Sequence, residues 1–221
     1  MPKVAVCLSG CGFLDGSEIH EAVFTLLALD QAGAQIVCCA PNKPQMHVVD
    51  HIKQKPAAGE SRNVLTESAR IARCEIQPLA AVEASDIDAL ILPGGFGAAK
   101  NLSTFAVDGA NCAVDPGVER LVNDMLEMKK PVGAICIAPA VIARIVGKKG
   151  IRASLTIGTD RDTAAAIQTM GAKHSECAVT DMAVDQAHKI VSTPAYMLGQ
   201  GPAEVHAGIK KLVDEVLRLI E

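Results

Sequence analysis

Val132-Gly133-Ala134-Ile135-Cys136-Ile137-Ala138-Pro139-Ala140 sets one cysteine at the hinge between an apolar strand and a helix. The run Pro131 to Ile135 has the unbroken apolar character of a strand buried on both faces of a parallel sheet. Ala138 to Val146 reads as a helix with proline in its first turn, where the missing N–H is no loss. Cys136 therefore falls at a helix N-terminus. There unpaired amides and the positive end of the dipole favour a thiolate, and a lowered thiol pKa is expected. Gly133, Ala134 and Ala138 leave room for a sharp strand-to-helix turn of the nucleophile-elbow kind. A buried cysteine more often serves as a small inert apolar residue, so the surrounding chain has to decide between the two roles.

Outward from the elbow, strands and helices alternate. Val4 to Leu8 reads as a first strand, followed by the loop Ser9 to Gly16 and a helix from Ser17 to Ala32 closed by Gly33. Ile36 to Ala40 is a second strand, a polar insertion of weak pattern runs to Ser61, and Arg62 to Ala72 is helical. Ala89 to Leu92 is a buried strand ending in the turn Pro93-Gly94-Gly95-Phe96-Gly97, and a helix from Gly117 to Lys130 leads to the elbow strand. Beyond it come a strand at Ser154 to Ile157, a helix at Thr159 to Met170, and a hairpin of Ala178 to Thr180 with Lys189 to Thr193 around Asp185 to His188. A long amphipathic helix from Gln200 to Leu219 closes the chain. This rhythm predicts one α/β domain over 1–221, a three-layer αβα sandwich on a mostly parallel, doubly wound sheet. In such sheets ligands sit outside the carboxyl ends of the strands, where Ser9 to Ser17, Pro93 to Gly97 and Cys136 converge.

Composition narrows the function. The 221 residues are 49% hydrophobic and 21% charged, enough for a well-buried core. Aromatics make up only 2%, with no Trp, one Tyr and four Phe, which speaks against binding nucleic acid through stacked bases. Net charge is -4 and no basic run exceeds a doublet, so neither a phosphate backbone nor an anionic membrane is an expected partner. A small-molecule substrate is. The N-terminal residues lack the pattern of a secretory signal, and no stretch of about 20 apolar residues is present. The eight cysteines form no C-x-x-C pair and have no zinc-type histidine spacing, so reduced thiols, no metal and a cytoplasmic location are the expectation.

Three features in order, Gly16-Ser17-Glu18-Ile19-His20-Glu21, Leu92-Pro93-Gly94-Gly95 and Ala134-Ile135-Cys136-Ile137-Ala138-Pro139, resemble the PfpI superfamily of class I glutamine amidotransferase-like folds. Leu8-Ser9-Gly10-Cys11-Gly12, Gly94 to Leu102 and Thr193-Pro194-Ala195-Tyr196-Met197-Leu198 are similar to its isoprenoid-biosynthesis glyoxalase family, ElbB. The resemblance spans essentially the whole chain. It implies a glyoxalase that needs neither glutathione nor another cofactor and converts glyoxal to glycolate, with deglycase-like chemistry as an extension and a homodimer as the assembly. It also implies a glutamate from the first helix paired with the elbow cysteine, which places that role at Glu21, with Glu18 one turn earlier as the fallback. A carboxyl beside a thiolate in an apolar pocket should have a raised pKa and shuttle protons near neutral pH. Backbone N–H groups of Gly95 and Ile137, with Gly94 beside them, are the candidate oxyanion donors.

Other residues carry weaker signals. Cys11 sits in a glycine-flanked loop at the same sheet edge and reads as structural; His20 reads as a helix-surface or subunit-contact residue. Asp160 occupies the region where many superfamily members carry a histidine, which weakens a Cys-His dyad. His174-Ser175-Glu176 has the look of an amidotransferase pair, so a glutamine-hydrolysing enzyme is the alternative, and a redox-sensing or binding protein using the same thiol is another.

Overall fold

In the computed structural model, which describes residues 1–220, the alternation resolves into a central sheet between two helical layers. The chain runs β1 (Lys3–Cys7), α1 (Ile19–Gln31), β2 (Gln35–Ala40), a small hairpin β3 (Val49–Asp50) and β4 (Lys55–Pro56), α2 (Val64–Ile71), β5 (Gln77–Pro78) and β6 (Ala89–Leu92). It continues with α3 (Phe96–Lys100), α4 (Phe105–Asp108), α5 (Pro116–Glu127), β7 (Val132–Ile135), α6 (Ala138–Lys148), β8 (Ser154–Leu155), α7 (Arg161–Thr169) and β9 (Lys173–His174). The last elements are β10 (Ala183–Asp185), β11 (Ile190–Thr193) and α8 (Pro202–Arg218). Strand order in the main sheet is β10-β11-β7-β6-β1-β2-β5. Every pairing is parallel except β10 with β11. The chain winds outward from β1 in both directions, so the point where the winding reverses, where α/β sheets open a crevice, lies between β1 and β6.

Alternation along each strand sorts the core into two layers. Ala5 and Cys7 of β1 face α5 and α6 with Leu121, Met125 and Ile142, whereas Val4 and Val6 face α1 and α8 with Leu29, Ile209 and Leu212. The eight cysteines are all free thiols. No helix among the described residues is long and apolar enough to cross a membrane.

Three local expectations shift. Ser17 does not start α1: its hydroxyl is turned back to accept the Ser9 N–H at 2.8 Å, and Glu18 caps the helix by accepting the Glu21 N–H at 2.7 Å. The C-terminal hairpin is real but formed by Ala183–Asp185, not Ala178 to Thr180. The Asp185 side chain accepts the His188 N–H at 3.0 Å and ties the turn, so the strand must end at that residue. The polar insertion after β2 carries the β3–β4 hairpin, too short for a periodic signal.

Candidate active site

The elbow is strained. Cys136 has φ of 61°, the left-handed region that residues with a Cβ seldom adopt, and its N–H is held by the Thr193 carbonyl of β11 at 2.9 Å. Ile137 opens α6 without any side-chain cap, which leaves first-turn amides free for the site. The Gly95 and Ile137 amides favour the charged form of the Cys136 sulfur. Both expected oxyanion donors therefore act on the elbow sulfur.

Glu21, on the first inward turn of α1, is fully buried against this sulfur. One carboxyl oxygen, Oε2, accepts the Gly94 N–H at 3.0 Å; the other, Oε1, accepts the Tyr196 N–H at 3.2 Å. Burial first, and then the nearby Glu18, push its pKa up to about 8, against the lowering effect of those amides and of the Cys136 thiol. Burial and the Glu21 charge likewise push the thiol well above its ordinary value, outweighing the Gly95 and Ile137 amides. The lowered thiol pKa expected from the helix N-terminus is thus corrected: dehydration and a facing carboxylate exceed what two amides return. At neutral pH the pair rests with both protons in place.

The structure separates the two glutamates. Glu18 is the cap of α1, half-buried at the cleft wall, with its carboxyl pKa raised by burial. Gly94 and Gly95 are required as glycines. A Cβ on Gly94 would lie 2.5 Å from the Cys136 Cβ and 2.6 Å from Glu21 Oε2. Gly95 has φ of 88°, and a Cβ there would meet the Glu18 nitrogen at 2.3 Å. The Gly94 amide is committed to Glu21 and so is not open to a ligand, unlike the donors at Gly95 and Ile137.

A cleft of about 440 Å³ opens onto Cys136, walled by Glu18, Phe96, Phe105, Asp160 and Tyr196 among others. Asp160 caps α7 by accepting the Thr163 N–H at 2.8 Å, and the Thr163 hydroxyl together with that amide holds its carboxyl below the usual range. Sequence reasoning missed Tyr196. It sits in the single turn Ala195–Met197 after β11, holds Glu21 by its backbone, presents its ring to the cleft and receives His20 Nδ1 at 2.7 Å from its hydroxyl. The available signal was the chain's one tyrosine, just past the carboxyl end of a strand. His20 is on the surface of α1 as expected, and its ring spans to that hydroxyl.

The alternative residues lie elsewhere. His174 is in β9, where its Nε2 accepts the Ile157 N–H at 3.4 Å; no histidine is among the residues walling the cleft. Cys11 is half-buried, its thiol raised by burial, and it does not line the cleft. No three or more His, Cys, Asp or Glu side chains gather as a metal site among the described residues.

Residues 3–198 match the DJ-1/PfpI family. The chain belongs to the DJ-1/PfpI family. As a DJ-1/PfpI protein it is 48% identical to the rat "ES1 protein homolog, mitochondrial" over 98% of this chain and 84% of the rat protein. Identity is also 48% to the human "Glutamine amidotransferase-like class 1 domain-containing protein 3, mitochondrial", over 98% of this chain and 83% of the human one. Among solved DJ-1/PfpI-type folds, an isoprenoid biosynthesis protein with an amidotransferase-like domain from Ehrlichia chaffeensis superposes at a TM-score of 0.93. It is 37% identical, with all of both chains covered. The mitochondrial names of the rat and human relatives overturn the expected cytoplasmic location.

Proposed function

We propose that this DJ-1/PfpI protein is a glutathione-independent glyoxalase in which Cys136 is the nucleophile and Glu21 the proton carrier. The observation that carries this reading is the buried Cys136–Glu21 pair, a thiol facing a carboxyl whose pKa is raised to about 8. A group titrating there can take and return a proton near neutral pH.

Loss of one proton from the pair lets sulfur attack an aldehyde carbon of glyoxal. A C–S bond forms, and the carbonyl oxygen becomes a hydroxyl as it takes up a proton. Glu21 then removes the hydrogen from that carbon, giving an enediol, and delivers a proton to the neighbouring carbon. The result is a glycolyl thioester: one carbon has been oxidised and the other reduced, so no outside oxidant is needed. Water attacks the thioester, the C–S bond breaks, and glycolate leaves as the thiol regains its proton. The Gly95 and Ile137 amides stabilise the oxyanion formed at each addition. A glutamine-hydrolysing triad is disfavoured because no histidine walls the cleft.

The test is glyoxal turnover without glutathione in wild type, Cys136→Ser, Glu21→Gln and the double variant. Each single change should lower kcat by about a hundred- to ten-thousand-fold, and the double variant should be no slower than Cys136→Ser, since without the thiol no adduct forms for Glu21 to act on. Full turnover in either single variant would remove this mechanism.

A further inference from the structure

Resting on the glyoxalase reading of the same pair, we infer that the cleft is built for an uncharged α-oxoaldehyde carrying a flat, apolar group, and that Phe13, Phe96 and Phe105 seat that group while Cys136 takes the aldehyde. The chain has only five phenylalanine and tyrosine side chains, and four of them, Phe13, Phe96, Phe105 and Tyr196, wall this one cleft. Size points the same way. At about 440 Å³ the cleft falls in the range of roughly 300–1,000 Å³ that accommodates drug-sized ligands, and the four heavy atoms of glyoxal would leave most of it to water.

The rings are placed and exposed. Phe13 and Phe96 are 46% and 47% solvent-accessible, so a ligand covering them gains apolar burial. They are tied together by the Phe96 N–H donating to the Phe13 carbonyl at 2.7 Å. Phe13 packs edge-on against His51, and the Lys100 ammonium lies 5.0 Å from the Phe96 ring centre. A planar guest laid against these rings gains from offset and edge-to-face contact.

Charge sets the rest. No lysine, arginine or histidine walls the cleft, whose charged groups are Glu18 and Asp160; Lys100, next to it, is anchored to the Leu14 carbonyl at 2.8 Å. A phosphorylated or carboxylated substrate would meet these like charges, and the Lys100 ammonium beside the Phe96 ring is already tied to the Leu14 carbonyl. With an aryl α-oxoaldehyde such as phenylglyoxal, sulfur adds to the aldehyde carbon, that carbon loses its hydrogen, and the ketone carbon gains one. Water then releases mandelate from the thioester, so phenylglyoxal plus water gives mandelic acid with atoms and electrons balanced.

The experiment compares kcat/KM for glyoxal, methylglyoxal, phenylglyoxal and 4-carboxyphenylglyoxal. Alongside it, the slowing of Cys136 alkylation by iodoacetamide is measured in the presence of acetophenone or acetone. Phenylglyoxal should exceed methylglyoxal at least tenfold, 4-carboxyphenylglyoxal should fall at least tenfold below phenylglyoxal, and acetophenone should protect Cys136 where equimolar acetone does not. Phe96→Ala and, separately, Phe105→Ala should each cut the phenylglyoxal-to-methylglyoxal ratio by about tenfold. Protection by acetophenone with no turnover of any dicarbonyl would uphold the flat apolar guest and discard the glyoxalase reading. Turnover of glyoxal with equal rates along the series and no protection would keep that reading and overturn this inference.

Discussion

Glu21 is the residue whose behaviour is most sharply defined. Its pKa rises from 4.5 to about 8 on folding, so between those values the folded protein holds a proton that the unfolded chain has released. Its contribution to stability is therefore greatest below pH 4.5 and declines until pH 8. At pH 7 the loss amounts to roughly 3 kcal/mol, at 1.36 kcal/mol per unit. Urea denaturation at several pH values should show this slope in wild type and its absence in Glu21→Gln. The alkylation rate of Cys136 should rise at a lower pH in Glu21→Gln than in wild type, because the variant lacks the carboxylate that pushes the thiol up. Gly94→Ala should be poorly folded or inactive, because its Cβ has nowhere to go between Cys136 and Glu21. A circular dichroism melt beside an activity assay checks it. The elbow cysteine could be read from sequence because small residues, a strand and a proline-led helix coincide there. The direction of its pKa could not, because burial and the facing carboxyl come from α1, more than a hundred positions away.

At the scale of elements, caps and periodicity decided what was legible. β6 and β7 were readable from apolar runs, and α5, expected from Gly117 to Lys130, runs from Pro116 to Glu127. That helix offers a clean test. The Asp115 side chain accepts the Gly117 N–H at 3.0 Å and the Val118 N–H at 3.4 Å, and also pairs with Lys43 at 2.7 Å. Asp115→Ala should cost about 1 kcal/mol, a little more than a cap alone, while leaving kcat for glyoxal within twofold; chemical denaturation and a rate measurement check both parts. The start of α1 was misplaced by a residue because serine and glutamate can both cap. Only the tertiary bond from the Ser9 amide to Ser17 decides between them. Two-residue strands such as β5 and β9 carry no period and gain their identity only from the strand they lie against.

At the scale of the whole molecule, alternation announced the doubly wound sheet, but strand order could not be derived from it, and neither could the approach of β11 to the elbow. The pairing of Thr193 with Ile135, and the turn that follows it, bring Tyr196 to Glu21 across 175 positions. Cys136 donates its amide to Thr193 in the same place, at the carboxyl edge of the sheet. That single N–H is therefore a reporter of global opening: its proton can exchange with solvent only when β11 leaves β7. In deuterium exchange it should be among the slowest amides, with a protection free energy equal to that of complete unfolding. Faster exchange at Cys136 than in the interior of β6 would mean that the elbow opens by itself. The same geometry means that no fragment lacking β11 can hold the thiol in its reactive setting, however faithfully it keeps the elbow sequence.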